Sequence, residues 1–289
     1  MDNKIEFDIS SHDGLRLAGY NWSSYQHSDS PIAVIIFLHG VAEHCGRYKH
    51  FTHFFNENNI AVVSMDLRGH GLSEGKHVFI PTAEAIYKDI DLLIEETRYR
   101  YPSCPAILYG HSMGGCLALS YTLNRYPNVS DKCPYQTIIV SSPWIRLARF
   151  LQPPYPIHSI IQTVSRISPS LRFPLRFKST KITRDENIAY SYNEDPYIRR
   201  SATLSLAHTM GSQAKMLDQS KCIFHIPVLI QHGTADAITS HDASLKFAHR
   251  GKNIYFKSWP DCYHELHNEP EREEIFHFIL HWIYEKIIV

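Results

Sequence analysis

The stretch PAILYGHSMGGCLALSYTL, residues 105–123, reads as a short buried strand that runs almost without a loop into a helix. Ala106 to Tyr109 are apolar, Gly110-His111-Ser112-Met113-Gly114 forms the turn, and small and aliphatic residues continue beyond it. A G-x-S-x-G pentad in that setting is the pattern of a nucleophile elbow. Its glycines admit a turn sharp enough to push the serine hydroxyl out at the end of the strand. The bland alternative is an ordinary tight turn carrying an idle serine.

Working outward, AVIIFLHG (33–40), IAVVSMDLRG (60–69), TIIVSS (137–142), IPVLIQHG (226–233) and NIYFKSWP (253–260) repeat the apolar, β-branched character, each separated by a helix-length segment. That rhythm predicts an α/β protein with a mostly parallel central sheet and helices on both faces. One helix is expected between Thr82 and Tyr99, with Ala85, Ile86, Ile90, Leu93 and Ile94 on one side. Another is expected from Pro270 to Ile287, with Glu271, Glu273 and Glu274 in its first turn and Ile275, Ile279, Trp282 and Ile283 facing inward. The rhythm stops after TIIVSS and resumes at IPVLIQHG. Residues 1–143 and 223–289 are therefore expected to form the core, and 144–222, which contain LQPPYP, RISPSLRFPLRF and a helical pattern from Ala202 to Leu217, an inserted cap.

Lys+Arg and Asp+Glu both total 29, so no global field draws the chain to nucleic acid. The charge is nevertheless partitioned: Trp144 to Lys221 carries twelve basic and five acidic residues, a surplus of seven. The first ten residues are too polar for a secretory signal, and AVIIFL is far shorter than the ~18 residues of a membrane span. With six scattered cysteines (Cys45, Cys104, Cys116, Cys133, Cys222, Cys262), these features predict free thiols and a cytoplasmic location.

A serine hydroxyl needs a base to take its proton and an acid to orient that base. Asp236 follows the strand IPVLIQHG and His264 follows NIYFKSWP, so both fall where a parallel sheet gathers its C-terminal ends. Ser112, Asp236 and His264 are the expected triad, with Asp242 and Asp261 as rival acids. Negative charge developing on a substrate oxygen needs fixed donors; Met113 N–H, at the start of a helix, and Val41 N–H, after His39-Gly40, are the candidates.

The strings HGVAEHCGRY (39–48), MDLRGHGLSEG, GHSMGG, HGTAD and YHELHNE together resemble the monoacylglycerol lipase and lysophospholipase branch of the α/β-hydrolases, from Ile35 to the last helix. The resemblance implies the α/β-hydrolase fold, a serine triad at Ser112, Asp236 and His264, and an oxyanion hole at Val41 and Met113. It implies a carboxylic ester of a lipid as substrate, monoacylglycerol first and a lysophospholipid or acyl thioester as alternatives, and no cofactor or metal. It also implies that Glu43, Arg47 and His267 line the exit for a small polyol head group, with Tyr192 reaching down from the cap. Glu43 and Arg47, four apart, equally suit an ion pair that fixes their loop.

Between Arg146 and Arg184 lie eight basic residues and no acidic ones, interleaved with Trp144, Phe150, Leu151, Ile160, Ile161, Leu171, Phe173 and Phe177. Peripheral docking on anionic lipid and a solvated basic face over packed apolar residues are both consistent with this. Cys45 and Cys262 flank the expected site, as oxidant-sensitive thiols or as plain packing. Two further function classes remain: a metal hydrolase using His264 with His267 or His277 with His281, and a non-catalytic binding protein that keeps the fold.

Overall fold

The computed structural model describes residues 4–23, 30–128, 132–152, 161, 163–175 and 177–288. In chain order the strands are β1 (Lys4–Ser10), β2 (Arg16–Trp22), β3 (Ala33–Leu38), β4 (Ile60–Met65), β5 (Ala106–His111), β6 (Thr137–Ser141), β7 (Arg172–Pro174), β8 (Ser201–Thr203), β9 (Ile223–Gly233) and β10 (Lys252–Trp259). The α-helices are α1 (Lys49–Glu57), α2 (Ala83–Arg100), α3 (Met113–Arg125), α4 (Glu186–Glu194), α5 (Leu204–Gln219), α6 (His241–Arg250) and α7 (Arg272–Ile283).

Among the described residues, one eight-stranded sheet runs in the order β1-β2-β4-β3-β5-β6-β9-β10. Its pairings are parallel except at the β1 edge, where β1–β2 and β2–β4 are antiparallel. All six residues of β3 are buried, because alternate side chains enter two cores. Val34, Ile36 and Leu38 pack with Leu93, Leu117 and Phe247 beneath α2, α3 and α6, whereas Ile35 and Phe37 pack with Phe55, Phe276 and Ile279 beneath α1 and α7. Helices therefore cover both faces, as the strand rhythm predicts. Parallel register aligns the strand ends: Leu38 lies beside Gly110, His111 beside Ser141, and Trp259 beside Gly233. The loops that follow these residues converge on one edge.

The hairpin β1–β2 is absent from the sequence reading, which assigns no strand before Ala33. Its signal is the two-residue alternation of Ile5, Phe7 and Ile9 with Lys4, Glu6 and Asp8. β9 begins at Ile223, ahead of the expected Ile226, and α7 stops at Ile283, after which Tyr284–Ile288 widen into a π-helical turn.

Between β6 and β9 the chain leaves the sheet. There β7 and β8 pair antiparallel, and Ile182, Tyr192 and Ile198 form a small separate cluster with Ile238. Leu206, Met210, Ala214 and Leu217 of α5 instead join the main core. Ile160, Arg176 and residues 153–156 of LQPPYP lie outside the described residues. Among the described residues, no helix is long and apolar enough to cross a membrane.

Candidate active site

Ser112 sits at the turn from β5 into α3 with φ 52° and ψ −112°, a left-handed conformation that L-residues avoid. The surrounding backbone holds it there: Ser112 N–H donates to Ser141 O (2.9 Å), and Ser112 O accepts from Cys116 N–H (3.0 Å) and Trp144 N–H (2.9 Å). Gly114 is required because any Cβ there would strike the Leu38 carbonyl at the end of β3. Ser112 opens into a cavity that also meets Gly40, Val41, Glu43, Arg47 and His264, with Phe177, Ile182, Tyr192 and Ile238 as its apolar wall.

The two distant partners reach this point. His264 Nδ1–H donates to Asp236 Oδ2 (2.8 Å), which leaves Nε2 to accept from the Ser112 hydroxyl (3.0 Å). The Asp236 side chain is fully buried, and its Oδ1 accepts from Ile238 N–H (2.7 Å) and Thr239 N–H (3.0 Å). Its Oδ2 also accepts from Thr239 Oγ1 (2.8 Å) and His232 Nε2 (3.0 Å). Burial alone would raise the Asp236 pKa, but His264, His232 and the hydrogen bonds hold it well below the usual carboxylate range. Burial pulls the His264 pKa down, yet the Asp236 carboxylate more than offsets this and lifts it above 6.5. The rival acids point elsewhere: Asp242 pairs with Lys246 at 2.7 Å, and Asp261 is exposed.

Met113 is the first residue of α3, so its N–H is one of the amides a helix cannot satisfy internally. Val41 lines the cavity from a loop pinned by buried His39, whose Nδ1–H donates to Gly40 O (2.8 Å) and whose Nε2 accepts from Leu67 N–H (2.9 Å). Burial lowers the His39 pKa to about 4, so the ring stays neutral.

Glu43 and Arg47 form an ion pair (2.6 Å) and also line the cavity. Glu265, which sequence reasoning missed, grips the same guanidinium through two bonds of 2.5 and 2.8 Å, and Arg47 keeps its pKa raised among these carboxylates despite burial. Glu43 Oε1 accepts from Gly40 N–H (2.6 Å) and Tyr48 OH (2.5 Å), while the Tyr192 ring lies 4.7 Å from the Arg47 guanidinium. His267 does not line the cavity. It is buried behind the wall, stacked on Tyr48 with ring centroids 4.3 Å apart, and desolvation lowers its pKa to about 4.

The profile of the family described as serine aminopeptidase, S33, matches residues 29–271. The chain belongs to that family. It is similar to an uncharacterized abhydrolase domain-containing protein of Dictyostelium discoideum (34% identity, 89% of this chain), of which it spans only about a quarter (27%). It is also similar to a putative monoglyceride lipase of Schizosaccharomyces pombe (31% identity, 89% of this chain, 68% of that protein). A soluble variant of monoglyceride lipase from Saccharomyces cerevisiae, solved with a substrate analog, superposes with TM-score 0.85 at 19% identity, covering 98% of this chain and 94% of that one. Within the α/β-hydrolases the chain thus falls in the monoacylglycerol lipase branch, and the family match together with these relatives supports a carboxylic ester hydrolase.

In this S33-family chain the other histidine pair has different company: His277 meets the edge of Phe54, and exposed His281 pairs with Glu285 at 3.2 Å. Burial raises the Cys45 pKa well above its ordinary value and that of Cys262 to about 12, so both stay protonated, which favours packing over reactivity.

Proposed function

We propose that this chain is a serine esterase that releases a fatty acid from a monoacylglycerol-like lipid through an acyl-enzyme. Ser112 Oγ attacks the ester carbonyl while His264 Nε2 takes its proton, and the Val41 and Met113 amides receive the developing oxyanion. His264 then protonates the departing alcohol. Water, activated by the same imidazole, cleaves the acyl-serine and restores the hydroxyl. Asp236 stays ionised throughout and keeps His264 in the tautomer that can accept from serine. This scheme calls on no metal or cofactor.

The observation that carries the reading is the unbroken hydrogen-bonded line from Asp236 through His264 to Ser112, at 2.8 and 3.0 Å, beneath an apolar wall. Glu43, Arg47 and Tyr192 flank the leaving-group side and take the small polyol, with His267 supporting Tyr48 and the loop from behind. Residues 144–222 act as a cap, anchored through α5, whose outer part admits the acyl chain. On it Phe150, Ile167 and Leu171 are exposed beside exposed Arg149, Arg166 and Lys178, which suits reversible docking on an anionic membrane surface from the cytoplasm.

The test assays monoacylglycerol, lysophospholipid and short aryl esters side by side on the wild type and Ser112→Ala, together with labelling by a serine-directed phosphonate. We expect monoacylglycerol to be the preferred lipid, and the substitution to abolish both turnover and labelling. Equal labelling of both proteins would favour a non-catalytic role.

A further inference from the structure

The oxyanion loop, Gly40 to Arg47, is gripped from the cap at three points that lie within eight residues. Arg199 N–H donates to Ala42 O at 2.9 Å, Asp195 Oδ2 meets His44 Nε2 at 2.8 Å, and the Tyr192 ring lies 4.7 Å from the Arg47 guanidinium. Tyr197 adds an edge contact to the His44 ring, with centroids 5.5 Å apart, while its own amide donates to Asp195 Oδ1 (2.8 Å) and fixes that carboxylate.

Two features of the loop indicate that this grip is needed. Ala42 holds φ at 63°, a left-handed conformation that a residue with a side chain keeps only when its surroundings impose it, and its carbonyl is the one Arg199 holds. His44 Nδ1 accepts from Gly46 N–H (3.2 Å), so it is Nε2 that carries a proton and donates it to Asp195. The ring thereby bridges the loop to the cap by two directed bonds. Val41, which lines the cavity together with Ser112, immediately precedes the residue whose carbonyl is clamped.

We propose that Asp195 and the Arg199 amide form a clamp that couples the seating of the cap to the geometry of the oxyanion hole. With the clamp engaged, Ala42 is held in its disfavoured conformation and Val41 N–H faces Ser112. With the clamp released, Ala42 relaxes and the donor turns away. Asp195 is thus a positioning residue, acting through His44 and Ala42 and touching no substrate. The inference rests on the reading of Val41 N–H as an oxyanion donor.

The test compares Asp195→Ala, Asp195→Asn and His44→Gln with the wild type. Removing a whole oxyanion donor costs roughly 10²–10³ in kcat, so loosening one through Asp195→Ala is expected to cost about tenfold, with KM changed less than about threefold. Asp195→Asn keeps an acceptor for His44 Nε2–H, and His44→Gln keeps a donor for Asp195, so both should recover most of the rate. Affinity for an aryl boronic acid, which mimics the tetrahedral state, should fall in step with kcat/KM while affinity for an unreactive ether analogue of the substrate holds. A purely structural role would move the two affinities together, and that result, or an unchanged kcat in Asp195→Ala, overturns the clamp. Hydrogen exchange over residues 40–47 reads the loop without turnover: faster exchange in Asp195→Ala supports the clamp, and unchanged exchange overturns it. If the wild type cleaves no ester but exchange does accelerate, the hold of Asp195 on the loop stands and the reading of Val41 N–H as an oxyanion donor fails.

Discussion

Ser112 keeps an unfavourable backbone conformation, of the kind that costs about 1–3 kcal/mol, and Asp236 concentrates five hydrogen-bond donors on one buried carboxylate. The two costs serve one purpose, an imidazole whose Nε2 lone pair faces a hydroxyl. Asp236→Asn removes the charge and presents an amide N–H where His264 Nδ1–H must donate, so kcat is expected to fall on the order of 10⁴ with the fold retained. A fall of less than tenfold in purified, folded protein would contradict this role. Because the base must be neutral to act, and Asp236 raises the His264 pKa, the acid limb of kcat/KM should have its midpoint above 6.5. In a pH series, a midpoint at or below that value would argue against the pairing. At this scale the hydrogen-bonded line Asp236–His264–Ser112 was legible because each member directly follows a strand or a strand-end loop. Glu265 was not: it bonds Arg47 from 218 positions away, and nothing in YHELHNE distinguishes a carboxylate turned inward from one turned to water.

Elements hold these residues through buried charge as well as apolar packing. Arg68, in the loop after β4, is 2% exposed and bonds Asp89 of α2, itself fully buried, at 2.5 and 2.8 Å, while half-exposed Asp13 closes the cluster at 2.8 Å. Breaking a buried pair strands the remaining charge, so Asp89→Ala should cost about 3–5 kcal/mol in urea unfolding. Asp13→Ala, whose partner keeps its other carboxylate, should cost less than about 1 kcal/mol. Equal effects would mean that α2 is held by its apolar face alone. The long helices and fully buried strands were readable because their apolar residues recur at fixed periods, and α2 starts one residue after its Thr82 cap. The β1–β2 hairpin escaped notice because its pattern is one short alternation at a sheet edge, where exposed Ile5 blurs the contrast. α5 illustrates the opposite difficulty: its helical pattern is plain, but whether its apolar side meets the sheet or the elements outside the sheet depends on tertiary placement that periodicity does not encode.

For the whole molecule, the formal charge is zero only as a sum, since a surplus of seven positive charges over residues 144–221 faces an equal deficit elsewhere. That partition was visible in the sequence. Which apolar side chains accompany the charges was not, because Phe173 and Phe177 turn partly inward whereas Phe150, Ile167 and Leu171 remain at the surface. Each basic group near an anionic bilayer contributes about 1 kcal/mol, and the range of that attraction shrinks from roughly 10 Å at 0.1 M salt to roughly 3 Å at 1 M. The protein should therefore float with phosphatidylserine-containing vesicles at low salt, float less with phosphatidylcholine alone, and release as salt rises toward 1 M. Arg149→Glu combined with Arg166→Glu should weaken flotation and slow cleavage of a vesicle-borne ester while leaving a soluble aryl ester unaffected, since neither arginine lines the cavity around Ser112. Equal binding to neutral and anionic vesicles would assign docking to the apolar side chains alone. Loss of both activities together would mean that these arginines support the fold of the cap, and the membrane reading would fall.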